Sequence, residues 1–191
     1  MNFEIENYLG FVRGIPLTEF VFWYFIKVIF DETKYRFMFA ALQEAEQAFE
    51  EHEVPVGAVV VKDNKIIGRG HNQVERLKDA TAHAEMIALT SAANHIGNWR
   101  LTDCSIYVTL EPCVMCTGAL LSSRITELYF STFDPKFGAC GSVYNLAEDG
   151  KTNHKINVYS GIYSDESKKL LQQFFDQLKN KNTLKFSPPT A

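Results

Sequence analysis

The sequence predicts a three-layer α/β/α domain around one five-stranded mixed sheet. Two observations carry that expectation. Strand-like and helix-like runs alternate through most of the chain, the pattern of a sheet covered by helices. The first two strand-like runs are separated only by Lys62-Asp63-Asn64-Lys65, so the sheet opens on a hairpin. A length of 191 residues suits one domain with a substantial core and is short for two.

The elements follow in order. Residues 1–33 are read as an N-terminal extension of unknown role, with the apolar run Phe20-Val21-Phe22-Trp23-Tyr24-Phe25-Ile26 between Glu19 and Lys27. That run is far shorter than the roughly 20 residues that a membrane-spanning helix needs. Glu4 and Glu6 argue against a secretory leader. An added helix on the domain is expected, with a membrane-surface or partner contact as the alternative. Residues 34–181 are expected to form the working domain. Met38, Ala41, Leu42, Ala45, Ala48 and Phe49 share one helical face, opposite Glu44, Glu46 and Glu50.

Pro55 ends that helix, and Val56 to Val61 and Ile66 to Arg69 make the hairpin. A polar loop follows from His71, then a helix from Thr81 to Asn94 capped by Thr81 or Asp79. Ser105 to Leu110 is a third strand, and Pro112 opens the next helix at its preferred first position. Strands at Glu127 to Phe130 and Ile156 to Tyr159 precede a last amphipathic helix from about Ser164. Its apolar face carries Leu170, Leu171, Phe174, Phe175 and Leu178. Residues 182–191 are expected to be a frayed tail.

Chemistry concentrates in His83-Ala84-Glu85 and Pro112-Cys113-Val114-Met115-Cys116. One imidazole and two thiolates are the donor set of a catalytic zinc that keeps its fourth position for water. Cys113 and Cys116, three apart, share a helix face. His83 and Glu85 stand about 200° apart around a helix axis, so they converge only where a helix begins. Two helix N-termini facing one another across the ion would satisfy this. Glu85 is then a candidate proton shuttle, and hydrolytic removal of an amino group from an sp² carbon is the reaction that fits. A Cys-x-x-Cys pair also occurs in redox and structural zinc sites, and Cys104, Cys140, His71, His95 and His154 are the residues able to complete a four-ligand structural site.

These stretches resemble the zinc-dependent cytidine/deoxycytidylate deaminase superfamily, and within it the bacterial tRNA-specific adenosine deaminases, whose signature is His-x-Glu followed by Pro-Cys-x-x-Cys. Pro55-Val56-Gly57-Ala58, Thr109-Leu110-Glu111, Asp134-Pro135-Lys136-Phe137-Gly138-Ala139-Cys140-Gly141-Ser142 and Asn153-His154 carry the likeness further, from about residue 34 to 181. The resemblance implies a cytidine-deaminase-like fold, one Zn²⁺ per subunit on His83, Cys113 and Cys116, and Glu85 as shuttle. It also implies that Asn72 and the Ala84 backbone read the target base. Asp134, Lys136 and Asn153 would hold flanking nucleotides of a tRNA anticodon loop. The implied reaction is adenosine to inosine at the wobble position, by a homodimer. Four cysteines that make no disulfide scaffold favour a reducing cytoplasm, and the short apolar run gives no expectation of a membrane partner.

Charge does not advertise that substrate. The formal net charge is −4, whereas nucleic-acid binders are more often basic. A local patch must serve, and Lys168, Lys169, Lys179, Lys181 and Lys185 make the C-terminal end basic. Asp176 and Gln177 stand where the family more often carries basic residues, which weakens the expected grip. Two alternatives remain at this stage: a deaminase of free guanine or cytosine, and a non-catalytic zinc-binding partner subunit.

Overall fold

The computed structural model describes residues 17–185, with side chains for residues 32–180. Expectations for residues 1–16, for the side chains of the apolar run at 20–26 and for the tail beyond residue 185 lie outside the described residues. The chain divides into two compact units, Met1–Lys34 and Tyr35–Ala191.

Helix α1 spans Leu17–Glu50 and so begins well before the expected residue 34. Neither proline nor glycine interrupts that stretch, so nothing in it breaks a helix once begun. Its Met38, Ala41, Leu42, Ala45 and Ala48 are buried as the periodicity predicts. His52 adopts a left-handed conformation (φ 63°) and Glu53 N–H donates to Ala48 O at 2.9 Å, which closes the helix.

The described residues form one sheet in the order β2-β1-β3-β4-β5, from β1 (Gly57–Lys62), β2 (Lys65–His71), β3 (Ser105–Leu110), β4 (Glu127–Thr132) and β5 (Asn157–Ser160). Strand β1 is antiparallel to both neighbours, while β3, β4 and β5 run parallel. The helices after α1 are α2 (Val74–Leu77), α3 (Ala84–Ile96), α4 (Val114–Ser122) and α5 (Ser164–Lys185). The short α2 falls in what the sequence presents as a polar loop. Helix α5 continues into the stretch read as tail.

Alternation along the strands sorts the core into two layers. Ala58, Val60, Ile106, Val108, Leu128 and Phe130 pack with Ala84, Ala88, Leu89 and Ala92 of α3 and Leu120 and Leu121 of α4. Val59, Val61, Tyr107 and Tyr129 face the opposite way, onto Phe37, Met38, Ala40 and Ala41 of α1. On this second face Tyr107, Tyr129 and Tyr159 stack with centroids 4.6 and 4.7 Å apart. Helix α5 joins this layer through Phe174, whose ring meets Phe49 of α1. Only Phe174 of the paired phenylalanines is buried; Phe175 and Leu178 of the expected apolar face are exposed, because α5 lies over the sheet along a narrow stripe. Among the described residues, no helix is long and apolar enough to cross a membrane.

Candidate active site

Three chain reversals build the site. The first brings β2 against α3 so closely that a side chain at Gly70 would lie 2.5 Å from Ala84 O. The backbone then loops back, with Gln73 N–H on Ala82 O at 3.0 Å. Helix α3 begins at Ala84, not at Thr81, because Asp79 Oδ1 takes Thr81 N–H and Oγ1–H and closes a turn before the helix. His83 is thereby the N-cap residue, in extended conformation (φ −74°, ψ 154°). Glu85 sits in the first helical turn. This resolves the 200° objection, since His83 is not yet on the helix.

The second reversal follows β3. Helix α4 begins at Val114, with Cys113 as an extended N-cap (φ −73°, ψ 176°) and Cys116 one turn on. Pro112 stands before the cap, not at the first helical position, because Cys113 is turned outward to the site. Two helix N-termini therefore converge. His83 Nδ1 lies 3.5 Å from Cys116 Sγ and 3.8 Å from Cys113 Sγ, and the three donor atoms are all within 4.8 Å of one another. Tetrahedral zinc with bonds of about 2.0–2.1 Å to nitrogen and 2.3 Å to sulfur places neighbouring donors about 3.6 Å apart, so this set fits the ion.

Among the described residues, none of the others able to supply a fourth ligand joins this cluster. Cys140 Sγ meets Thr117 Oγ1 at 3.3 Å, His71 lies between Glu44 and Glu51, and His154 Nε2 contacts Ile125 O. Cys104 is buried beside Thr102 O, and His95 is exposed on α3. Three protein ligands leave one coordination position for a reactant.

Electrostatics agree with a shared centre. The thiol hydrogen bond from Cys116 pulls Cys113 down to about 4, and the same contact with burial pushes Cys116 far up. Hydrogen bonding to Cys113 raises His83 against the opposing effect of burial. Glu85 is 4% exposed, and burial pushes its carboxyl above the usual range while Cys116 hydrogen-bonds to it.

The third reversal is the loop after β4. Asp134 N–H donates to Glu111 Oε2 at 3.0 Å, and Cys140 N–H and Ser142 N–H donate to Glu111 Oε1 at 2.9 and 3.0 Å. Ser142 Oγ also contacts Glu111 Oε2. Gly138 pairs with Cys113 across a bridge, and a side chain there would lie 2.2 Å from that carboxylate. Glu111 thus sews the loop carrying Asp134 and Lys136 to the turn carrying Cys113. Asp134 Oδ1 accepts from Lys136 N–H and Phe137 N–H, the local turn chemistry of an aspartate, and the Lys136 side chain is exposed.

Asn72 is buried, with Nδ2 on Glu53 Oε2 at 3.1 Å. Ala84 is buried at the start of α3, where a helix leaves its first N–H groups without an intrahelical acceptor. Asn153 is not brought to this cluster. Its Oδ1 accepts from Arg124 at 2.8 Å, just past the far end of α4 from Cys113. Helix α4, nine residues and about 14 Å long, lies between Cys113 and Arg124. Sequence reasoning missed the buried glutamates Glu53 and Glu111. Their one signal was an acidic residue leading straight into a proline-bearing motif, Glu53-Val54-Pro55 and Glu111-Pro112.

Comparison with known proteins agrees with this geometry. Residues 31–132 match the cytidine and deoxycytidylate deaminase zinc-binding region. A tRNA-specific adenosine deaminase of Aquifex aeolicus (strain VF5) is 46% identical over 144 residues, 75% of this chain and 95% of that protein. One from Streptococcus pyogenes serotype M18 is 44% identical over 141 residues, 74% of this chain and 89% of its own length. A solved structure from work on A-to-I editing by tRNA:A34 deaminases at the wobble position superposes with a TM-score of 0.69 at 43% identity. It covers 71% of this chain and 99% of its own.

Proposed function

This chain belongs to the cytidine and deoxycytidylate deaminase family, and from that premise we propose its function: hydrolytic deamination of adenosine to inosine at the wobble position of tRNA. The single observation that carries the chemistry is the convergence of His83, Cys113 and Cys116 at two helix N-termini with the buried Glu85 beside them. The likeness to tRNA adenosine deaminases over three quarters of the chain carries the substrate.

His83, Cys113 and Cys116 would hold the zinc, which when bound would supply the Lewis acidity that makes water a nucleophile near neutral pH. Glu85 takes a proton from the attacking water and gives it to the adenine ring nitrogen, then takes the proton of the newly added hydroxyl and delivers it to the departing amine, so adenosine and water become inosine and ammonia. Burial raises the Glu85 carboxyl, the direction that suits a group which both takes and gives a proton. The target base must be unstacked to reach so enclosed a group, which suits a loop nucleotide.

Asn72 and the Ala84 backbone N–H read that base. Asp134 and Lys136 hold a flanking nucleotide, on the loop that Glu111 fastens to the zinc-ligand turn. Asn153 contacts RNA further from the reacting base, in keeping with its distance from Cys113. The enzyme works as a homodimer in the cytoplasm.

The test is inosine formation in a synthetic anticodon stem-loop with adenosine at the wobble position, beside free adenosine, guanine and cytosine. Conversion of the stem-loop alone is expected. Turnover of a free base with an inert stem-loop would keep the zinc chemistry and remove the RNA substrate.

A further inference from the structure

Glu53 takes no part in the chemistry above, yet it is only 1% exposed. The end of α1 places it: its N–H closes that helix on Ala48 O, and its carboxylate projects into the turn that follows β2. Oε1 accepts from Arg76 N–H at 2.7 Å. Oε2 accepts from Asn72 Nδ2 at 3.1 Å and from Glu75 N–H at 3.3 Å. Every partner donates, and both carboxylate oxygens only accept. The nitrogen of the Asn72 amide is therefore the atom that must face Glu53. Its carbonyl oxygen is turned away and meets no protein donor among the described residues.

We propose that Glu53 is a positioning residue for the deamination, holding the Asn72 amide in one of its two orientations so that the pocket presents acceptor and donor in fixed places. The inference rests on the reading of Asn72 as a substrate contact. An asparagine amide turned by 180° fills the same volume but exchanges oxygen for nitrogen, and a substrate meeting the wrong face loses its hydrogen bond. Fixing the amide in advance removes that misoriented population before the RNA arrives.

Glu53→Gln tests this without changing the volume of the side chain. Its new amide nitrogen must stand either in the place of Oε1, against Arg76 N–H, or in the place of Oε2, against both Asn72 Nδ2 and the longer contact from Glu75 N–H. The N–H groups of Glu75 and Arg76 belong to the backbone and cannot turn round, whereas the Asn72 amide can. The short contact to Arg76 keeps the remaining oxygen, so Asn72 is the partner that flips.

KM and kcat on the stem-loop would be measured for wild type, E53Q, N72A and E53Q/N72A, with zinc content on the same preparations. In parallel, NMR would follow hydrogen exchange of the Asn72 side-chain amide in the protein alone. The expected result is a KM raised about 10-fold in E53Q with kcat nearly unchanged, and a double variant no worse than N72A, as for two residues acting as one unit. One Asn72 N–H should be protected in wild type and lose protection in E53Q. Losses that multiply in the double variant, or loss of zinc in E53Q but not N72A, would make Glu53 a structural residue and overturn the proposal.

The NMR readout needs no substrate. A protected Asn72 amide in protein that is inert on the stem-loop supports the clamp and sinks the tRNA reading. An unprotected amide in active wild type sinks the clamp alone. That wild-type spectrum decides the matter even where E53Q does not fold.

Discussion

Cys113 and Cys140 stand on adjoining backbone segments, joined through the bridge between Cys113 and Gly138, and do different work. Cys113 caps a helix, half-exposed toward His83, and its thiol is held down at about 4. Cys140 is buried against Thr117, and burial pushes its thiol up to about 12, which makes it an inert packing group. Cys113→Ala should therefore bring zinc per chain close to zero and turnover below about one per cent of wild type, since a ligand is lost. Cys140→Ala should keep its zinc, with a modest loss of stability. Metal analysis of both variants checks this, and zinc loss in the Cys140 variant would mean that the ligand set is wrong. The ligands were legible in the sequence because metal chemistry demands particular side chains at short spacings. Glu53 and Glu111 were not, because a glutamate gives no sign of burial until the backbone N–H groups that satisfy it have been folded around it.

Among the elements, the helix starts decide the site. The sequence put His83 and Pro112 inside their helices; in the structure α3 and α4 each begin one or more residues later, with His83 and Cys113 as extended caps. Helical periodicity locates an element but is blind to a shift of two or three residues at its end, and here that shift is what turns the ligands toward one another. The strands read well as continuous apolar runs because both faces of the sheet are covered, so Val59 and Val60 go to opposite cores. Phe175 did not, because apolar spacing cannot tell a wide buried face from a narrow one. Strand β1 also touches α1 at Gly57, where a β-carbon would lie 2.1 Å from Ala41 O and 2.4 Å from Ala45 N. Both are backbone atoms of a helix and cannot step aside. Gly57→Ala should cost about 3 kcal/mol, seen as a lower urea midpoint at unchanged slope. An unchanged midpoint would contradict the close packing of α1 on β1.

At the scale of the whole molecule, an acidic chain handles an acidic substrate. The net charge of −4 is an average, and the enzyme needs only local complementarity where the RNA lies. The sheet reconciles the two demands by carrying its chemistry at one end, where the connections after β3 and β4 are tied together by Glu111 and the turn after β2 comes alongside through Ala82 and Ala84. The core beneath is an ordinary three-layer packing that holds those connections still. Stability and reaction are thus separable, and removal of the shuttle should stop the reaction while the metal remains.

The most direct test is zinc content and inosine formation measured on one preparation of Glu85→Gln, which keeps the shape of the side chain and removes its ability to take a proton. Full zinc, with stem-loop turnover reduced about 10²–10⁴-fold, is the predicted result. Zinc lost together with activity, or turnover left at the wild-type rate, would contradict the role given to Glu85.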